Sequence, residues 1–139
     1  MKKLFLLLLF IPFVSFGQSA EDYFNSGQLK GKLQDYSGAL SDFNKAIELD
    51  PNYDKAYYNR GKIQVYLNNY YDANEDYTKC IEVSSTKAVI AAAYVNRGLL
   101  KADFDDISGA CLDWIKAANL GNAKATKMAA QYCNFKLIK

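Results

Sequence analysis

The chain repeats its own pattern of residues at a nearly fixed interval. Nine positions recur after 34 residues and again after a further 37 residues. An interval of this length is typical of stacked supersecondary units, which bury their apolar surfaces against one another and present extended surfaces for binding. The recurring columns are Tyr23, Tyr57 and Tyr94; Asn25, Asn59 and Asn96; Gly27, Gly61 and Gly98; Tyr36, Tyr70 and Ile107; Ala39, Ala73 and Ala110; Asp42, Asp76 and Asp113; Phe43, Tyr77 and Trp114; Lys45, Lys79 and Lys116; and Ala46, Cys80 and Ala117.

Each repeated unit has the residue spacing of two helices joined by a short turn. In the second unit, apolar and small residues follow helical intervals over about residues 54–67 and again over about 70–83, without the alternation of a strand. The intervening Asn68-Asn69 pair is typical of a turn, because asparagine tolerates the left-handed conformation that ends helices. The sequence therefore predicts an all-α fold built from antiparallel helical hairpins.

Glycine recurs inside the first helix of every unit, at the position of Gly61. Glycine within a helix costs roughly 1 kcal/mol relative to alanine, so its return in register indicates a packing requirement. We expect the first helix to approach the second most closely at Gly61, with Ala73 opposite. Tyr57 and Tyr77 are expected to fill the space around that contact.

These columns resemble the tetratricopeptide repeat. The resemblance rests on the small residues equivalent to Gly61, Ala73 and Cys80, on the aromatic column that ends in Trp114, and on the segment Ala46-Ile47-Glu48-Leu49-Asp50-Pro51-Asn52, which is similar to the family's inter-repeat segment. The resemblance implies an α-solenoid of three helical hairpins plus a C-terminal capping helix. The expected limits are residues 18–139 for the domain, about 20–53, 54–87 and 91–121 for the repeats, and about 122–135 for the capping helix.

The third unit departs from the regular pattern. Ser84-Ser85-Thr86 stands where the first boundary has proline, and the spacing lengthens by three residues before Ala91. Ser85 or Thr86 is placed to cap a longer helix, and we expect a local change in the angle between the second and third hairpins. The ending Asn119-Leu120-Gly121-Asn122 resembles the Sel1-like variety of repeat, with Gly121 expected to end a helix.

The first seventeen residues have the organisation of a secretory signal peptide. Met1-Lys2-Lys3 is a short basic start, residues 4–16 are apolar, and small residues flank a cleavage point before Gln18. The apolar run of 13 residues is shorter than the roughly 20 that span a bilayer. We therefore expect an exported protein, periplasmic or secreted, with no transmembrane segment in the mature chain.

The residue inventory argues against several functions. Without Lys2 and Lys3, 15 of the 17 basic residues remain and balance the 15 acidic residues. The mature chain then lacks the basic field that nucleic-acid binding requires. It has no histidine, the usual general base of serine and cysteine hydrolases, and no glycine-rich phosphate loop. We expect no catalytic residues, no cofactor and no metal site, and a protein that is not an enzyme.

The three cysteines have different expected environments. Cys80 occupies a small-residue column and is expected to be a buried packing thiol. If the last two helices are antiparallel about a turn near Gly121, Cys111 lies opposite about Gln131, within half a helical turn of Cys133. Because disulfides persist in exported proteins, we predict a Cys111–Cys133 bridge, worth roughly 3 kcal/mol for a loop of this length. The alternative is two unbridged, buried cysteines.

By resemblance to the family, the first helix of each hairpin lines a concave face that binds an extended or helical peptide. The column Asn25, Asn59 and Asn96 is suited to holding a peptide backbone, because an amide side chain both donates and accepts hydrogen bonds. The alternative is that asparagine is simply a common polar residue on this helix face. The candidate peptide-binding residues are Phe24, Asn25, Gln28, Tyr58, Asn59, Lys62, Tyr66, Val95, Asn96 and Leu99.

Two hypotheses of function follow from the sequence. The first is a non-catalytic adaptor or scaffold of the cell envelope or secreted space that binds a protein or peptide through the concave face. The second is a structural or assembly subunit that stacks on another chain through the exposed edge of the first repeat. The sequence leaves the partner and the oligomeric state open.

Overall fold

A computed structural model describes residues 17–133 of the chain, and the described part contains seven helices and no strand. The predicted signal peptide lies outside the described residues, apart from Gly17, and so do residues 134–135 of the predicted capping helix. The helices are α1 (Ala20–Lys32), α2 (Tyr36–Leu49), α3 (Asp54–Tyr66), α4 (Tyr70–Val83), α5 (Lys87–Asp103), α6 (Ile107–Asn119) and α7 (Ala123–Tyr132).

Consecutive helices form three hairpins, α1–α2, α3–α4 and α5–α6, and α7 packs against α6 at the end of the stack. Each hairpin packs on the next, so the prediction of an all-α solenoid with three hairpins and a capping helix is confirmed. No helix within residues 17–133 combines the length and the apolar character that crossing a membrane would demand.

The turn inside each hairpin uses the same backbone geometry. Gln34, Asn68 and Asp105 occupy equivalent positions, and each has a left-handed φ of 60–63°. In the first and third hairpins, this left-handed residue is followed by an aspartate that caps the second helix. Asp35 accepts a hydrogen bond from the backbone N–H of Gly38 at 2.9 Å, and Asp106 accepts one from Gly109 at 2.8 Å. The expected turn at Asn68 is therefore confirmed.

The recurring glycine of each hairpin lies directly against the aromatic residue of the second helix. A β-carbon on Gly61 would lie 2.9 Å from the ring of Tyr77, and one on Gly98 would lie 2.5 Å from the indole nitrogen of Trp114. The same position in the first hairpin, Gly27, lies against the ring of Phe43. The glycine is therefore required for packing, as expected, and what it accommodates is the aromatic residue of the second helix.

Two arginines each hold a buried carboxylate in their own hairpin and also reach a polar side chain of the preceding hairpin. In the second hairpin, Nε and Nη2 of Arg60 donate to the carboxylate of Asp76 at 2.6–3.1 Å, and Nη1 donates to the side-chain oxygen of Asn44 in the first hairpin at 2.7 Å. In the third hairpin, Arg97 donates to Asp113 at 2.8 and 2.9 Å. Its Nη1 reaches back to Thr78 of the second hairpin at 2.8 Å. Each arginine therefore connects three helices.

The two carboxylates of these networks differ in their surroundings. Burial raises the pKa of Asp76 and outweighs the hydrogen bonds and charge of Arg60. Burial also opposes ionisation of Asp113, but hydrogen bonds and charge from Arg97 and Lys101 outweigh it and hold the pKa of Asp113 below its usual value. Lys101 lies 2.9 Å from Asp113, whereas the charges of Asp72 and Glu75 further raise the pKa of Asp76.

The boundary between the second and third hairpins differs from the first boundary. The lengthened α5 begins at Lys87 directly after Thr86, but the Thr86 side chain makes no capping hydrogen bond. The backbone N–H of Thr86 instead donates to the hydroxyl of Ser84 at 3.2 Å. At the next boundary Gly121 has a left-handed φ of 90° just after α6 ends, as predicted.

The cysteines occupy the expected environments. Cys111 and Cys133 form a disulfide with a Cα–Cα distance of 5.6 Å, which links α6 to the end of α7. Cys80 is a free thiol with no exposed surface, and burial raises its pKa to about 12.

Candidate binding groove

Three clefts follow one another along the side of the solenoid on which α1, α3, α5 and α7 lie next to each other. The first cleft lies between α1 and α3, the second between α3 and α5, and the third between α5 and α7. Lys62 and Tyr66 belong to both the first and second clefts, and Leu99 belongs to both the second and third. The three clefts therefore form one continuous surface, which we call the groove.

The first cleft is polar at its rim. It has a volume of about 300 Å³, and Phe43, the aromatic residue against Gly27, forms part of its floor. The side chains of α1 and α3 around it are mainly amides and amines: Gln28, Lys32, Asn59 and Lys62. Such a rim offers hydrogen-bond donors and positive charge to a ligand.

The second cleft is mixed in character. Its volume is about 320 Å³, and Tyr77 occupies the floor position equivalent to that of Phe43. Asn96 and the carboxylate of Asp103 contribute polar groups, while Leu99 and Leu100 contribute apolar surface.

The third cleft is lined mainly by apolar side chains and has a volume of about 390 Å³. Trp114 occupies the floor position here, and its ring lies 5.9 Å from the ring of Tyr132 on α7. Leu99 from α5 and Met128 from α7 face each other across the cleft. The helix that closes the solenoid thus also contributes a wall of the groove.

Most of the candidate peptide-binding residues line these clefts. The residues that line the clefts come from one face of α1, α3 and α5, and they fall into three columns of equivalent repeat positions. The candidates that line the clefts are Gln28, Asn59, Lys62, Tyr66, Asn96 and Leu99. Asn25 is exposed in the same column as Asn59 but lines none of the three clefts.

The column that contains Phe24 and Val95 requires a correction. Phe24 is only 7% exposed and packs against Phe43 and Tyr53, and Val95 is only 5% exposed in a cluster with Ala117. One residue along a helix turns the side chain by 100°, so the column before the asparagines is directed toward the following hairpin and away from the groove. Phe24 and Val95 are therefore core residues and do not line the groove.

Two of the three column asparagines already donate a side-chain hydrogen bond within the protein. The side-chain nitrogen of Asn59 donates to the backbone oxygen of Lys55 at 2.8 Å, and that of Asn96 donates to the hydroxyl of Tyr58 at 3.1 Å. Tyr58 is half-buried, and its hydroxyl positions Asn96 through this hydrogen bond. Each of these two side chains thus uses one of its two amide hydrogens inside the protein.

Sequence reasoning missed several groove residues. Lys32 and Asp103 line the first and second clefts at the positions equivalent to Tyr66. The repeat register could have identified both, because they are 34 residues before and 37 residues after Tyr66. The residues of α7 carry no such signal, since that helix has no recognisable copy of the repeat columns.

Family models match two stretches of the chain. One family model, described as TPR repeat, matches residues 20–68. A second family model, described as tetratricopeptide repeat, matches residues 54–87. Comparison with curated protein sequences found no match.

Solved structures share the fold. The N-terminal domain of stress-induced protein-1 from C. elegans superposes with a TM-score of 0.77 at 21% identity, covering 83% of this chain and 94% of that one. The first tetratricopeptide domain of Spaghetti (RPAP3), bound to the HSP90 peptide SRMEEVD, gives 0.73 at 20% identity, covering 83% and 90%. The TPR2B domain of yeast Sti1, in a complex with pHsp70, gives 0.70 at 20% identity, covering 81% and 91%. Residues 20–87 therefore match tetratricopeptide-repeat models, and the described part of the chain shares the fold of these solved domains.

Proposed function

We propose that the protein is a non-catalytic adaptor or scaffold that binds a segment of another protein in the groove. The observation that carries this proposal is the continuity of the three clefts, whose shared walls at Lys62, Tyr66 and Leu99 make a single surface across all three hairpins. One structurally similar domain is described as bound to an HSP90 peptide and another as a complex with pHsp70, which supports a peptide or protein ligand for a solenoid of this shape.

The shared wall between the first two clefts has the features of a binding contact. Tyr66 is 63% exposed, yet its ring is held by stacking on Tyr36 at a centroid distance of 5.4 Å and an interplanar angle of 4°. The amine of Lys62 lies 5.9 Å above the ring of Tyr58. An exposed but positioned tyrosine gives a partner a large contact area at a small cost in conformational entropy.

We further propose that the protein works in the cell envelope or the secreted space. The apolar N-terminal segment of the sequence supports export, and the Cys111–Cys133 bridge is compatible with an oxidising compartment. Intact-mass measurement of the protein purified from the envelope and culture medium tests this. A mass that starts at Gln18 is expected, and a protein found only in the cytoplasm with its first residues intact would contradict it.

Affinity capture with matched variants tests the binding function. Immobilised protein is incubated with an envelope and medium extract, and the captured proteins are identified by mass spectrometry. We expect Tyr66→Ala and Lys62→Glu to lose the partner, while Lys55→Glu, an exposed lysine of α3 that lines none of the three clefts, keeps it. Equal capture by all three variants would contradict binding in the groove.

A second candidate function is a structural or assembly subunit. It is favoured by two exposed leucines four residues apart at the C-terminal end of α1, since Leu29 is 59% exposed and Leu33, which directly follows the helix, is 71% exposed. If the first repeat stacks on another chain, Leu29→Ser with Leu33→Ser abolishes assembly in sedimentation velocity, whereas Tyr66→Ala does not. The opposite pattern supports the adaptor.

A further inference from the structure

We propose that residues 134–139, which follow Cys133, bind across residues 103–106, which join α5 to α6 and which we call the third turn. The inference goes beyond the proposed function, because it assigns this surface an occupant from within the chain. It rests on where the segment begins, on the apolar surface exposed beside it, and on the charges of the two.

The segment begins at the same end of the solenoid as the third turn. Ala125, near the start of α7, shares a cluster with Ala117, near the end of α6. Cys133, which follows α7, shares a cluster with Ala110, near the start of α6. The helix α7 therefore runs antiparallel to α6 and brings the chain back to the α6 terminus that the third turn precedes.

The third turn is within reach of the segment. The disulfide places the Cα atom of Cys133 5.6 Å from that of Cys111. Ile107 lies four residues before Cys111 on α6, about 6 Å along the helix, and the third turn directly precedes Ile107. Six extended residues span about 20 Å. Residues 134–139 can therefore extend over Ile107 and the third turn.

The surface beside the start of the segment is apolar. Phe104 is 61% exposed, although the edge of its ring contacts Tyr70 at a centroid distance of 5.2 Å. Ile107 and Tyr132 each have about half of their surface exposed, and both line the third cleft. The segment supplies three apolar side chains to this surface: Phe135, Leu137 and Ile138. Removing both apolar surfaces from water favours their contact.

The charges distinguish the third turn from its two equivalents. Residues 32–35 carry one positive and one negative charge, and residues 66–69 carry none, whereas residues 103–106 carry three aspartates. These aspartates are exposed and form no ion pair with any residue from 17 to 133. The segment carries two lysines, Lys136 and Lys139, and no acidic residue. Its charge is therefore complementary to the third turn and to neither of the other two.

The covalent connection favours the chain's own segment over a free peptide of the same chemistry. A segment joined to its binding surface by a short linker meets it at a millimolar effective concentration, so individually weak contacts suffice. Because Ile107 and Tyr132 also line the third cleft, the bound segment covers that end of the groove. A partner that uses the third cleft must then displace it.

NMR spectroscopy of the oxidised protein tests the inference. We expect backbone order parameters of residues 135–138 near the value of roughly 0.85 that is typical of rigid backbone, and NOEs from their side chains to the ring of Phe104. Order parameters below about 0.6 would overturn the inference. NOEs to another surface would also overturn it, as would NOEs seen only between isotope-labelled and unlabelled copies, which would assign the site to a second chain.

Matched variants separate the apolar contact from the charges. Phe104→Ser is expected to lower the order parameters of residues 135–138 below about 0.6. Leu33→Ser, the equivalent exposed position of the first hairpin, should leave them unchanged. Lys136→Glu with Lys139→Glu should lower them as Phe104→Ser does, whereas arginine at both positions should retain the wild-type values. Unchanged order parameters in Phe104→Ser or in the glutamate pair would refute binding across the third turn.

Discussion

The aspartate column provides an internal comparison of buried ion pairs, and we predict that its members differ strongly in their contribution to stability. Asp113 has 2% of its side chain exposed, and it contacts both Arg97 and Lys101, whose side chains are 15% and 28% exposed. Asp113→Ala leaves both cations without their carboxylate. Breaking a buried pair in this way costs about 3–5 kcal/mol, because an uncompensated charge stays in a poorly solvated site.

The equivalent change in the first hairpin is the matched control. Asp42 is less deeply buried, and its partners are the amine of Lys30 at 2.7 Å and the hydroxyl of Ser26 at 2.6 Å. The side chain of Lys30 is 38% exposed, so water solvates the amine once the carboxylate is removed. We expect Asp42→Ala to cost about 1 kcal/mol.

The assay is urea unfolding at neutral pH with the disulfide intact, followed by circular dichroism at 222 nm. Comparable m-values for the two variants are required for the free energies of unfolding to be compared. Replacing Arg97→Met together with Asp113→Leu should recover part of the loss from Asp113→Ala, because the more buried of the two cations is then removed with the carboxylate, while Lys101 is the more exposed cation. Equal destabilisation by Asp42→Ala and Asp113→Ala would refute the reasoning from burial and number of cations.

Three further predictions follow from the packing and the ionisation state. Reduction of the Cys111–Cys133 bridge lowers the free energy of unfolding by about 3 kcal/mol, measured by urea unfolding with and without dithiothreitol; a change below 1 kcal/mol would contradict the loop-entropy account. Gly98→Ala destabilises by about 1–2 kcal/mol in the same assay, because overpacking against Trp114 exceeds the gain in helix propensity; a stabilised variant would show that the ring moves freely. The pKa of Asp113 is lowered in the folded state, so its stabilisation is present above about pH 4 and is lost as the pH falls through the folded-state pKa. Asp113→Asn should therefore flatten the decline of stability as the pH falls below about 4, and an unchanged slope would refute this.

The fold could be read from the sequence because local and repeated signals agree. Asn68 marks a left-handed turn, Gly61 marks a close helix contact, and both recur in register. The Cys111–Cys133 pairing was also accessible, because an antiparallel arrangement about Gly121 leaves few ways to place the two thiols.

The groove was only partly predictable for a physical reason. Assigning a helix to the groove does not determine which of its columns faces a ligand, since neighbouring columns differ by 100°. The apolar character of Phe24 and Val95 was the signal that their column belongs to the core. The arginine networks were harder to recognise, because Ser26 occupies the position of Arg60 in the first unit and so conceals the column.

The arginine bridges also govern how the solenoid loses its structure. In a linear array, each unit is coupled to its neighbours alone, and the strength of that coupling decides whether units melt one at a time or together. Arg60 and Arg97 each hold a carboxylate in their own hairpin and a polar side chain in the hairpin before. Opening either boundary therefore breaks the hydrogen bond between the guanidinium and the polar side chain of the preceding hairpin. The middle hairpin takes part in both boundaries, and its amide hydrogens should exchange with solvent only when the whole array melts.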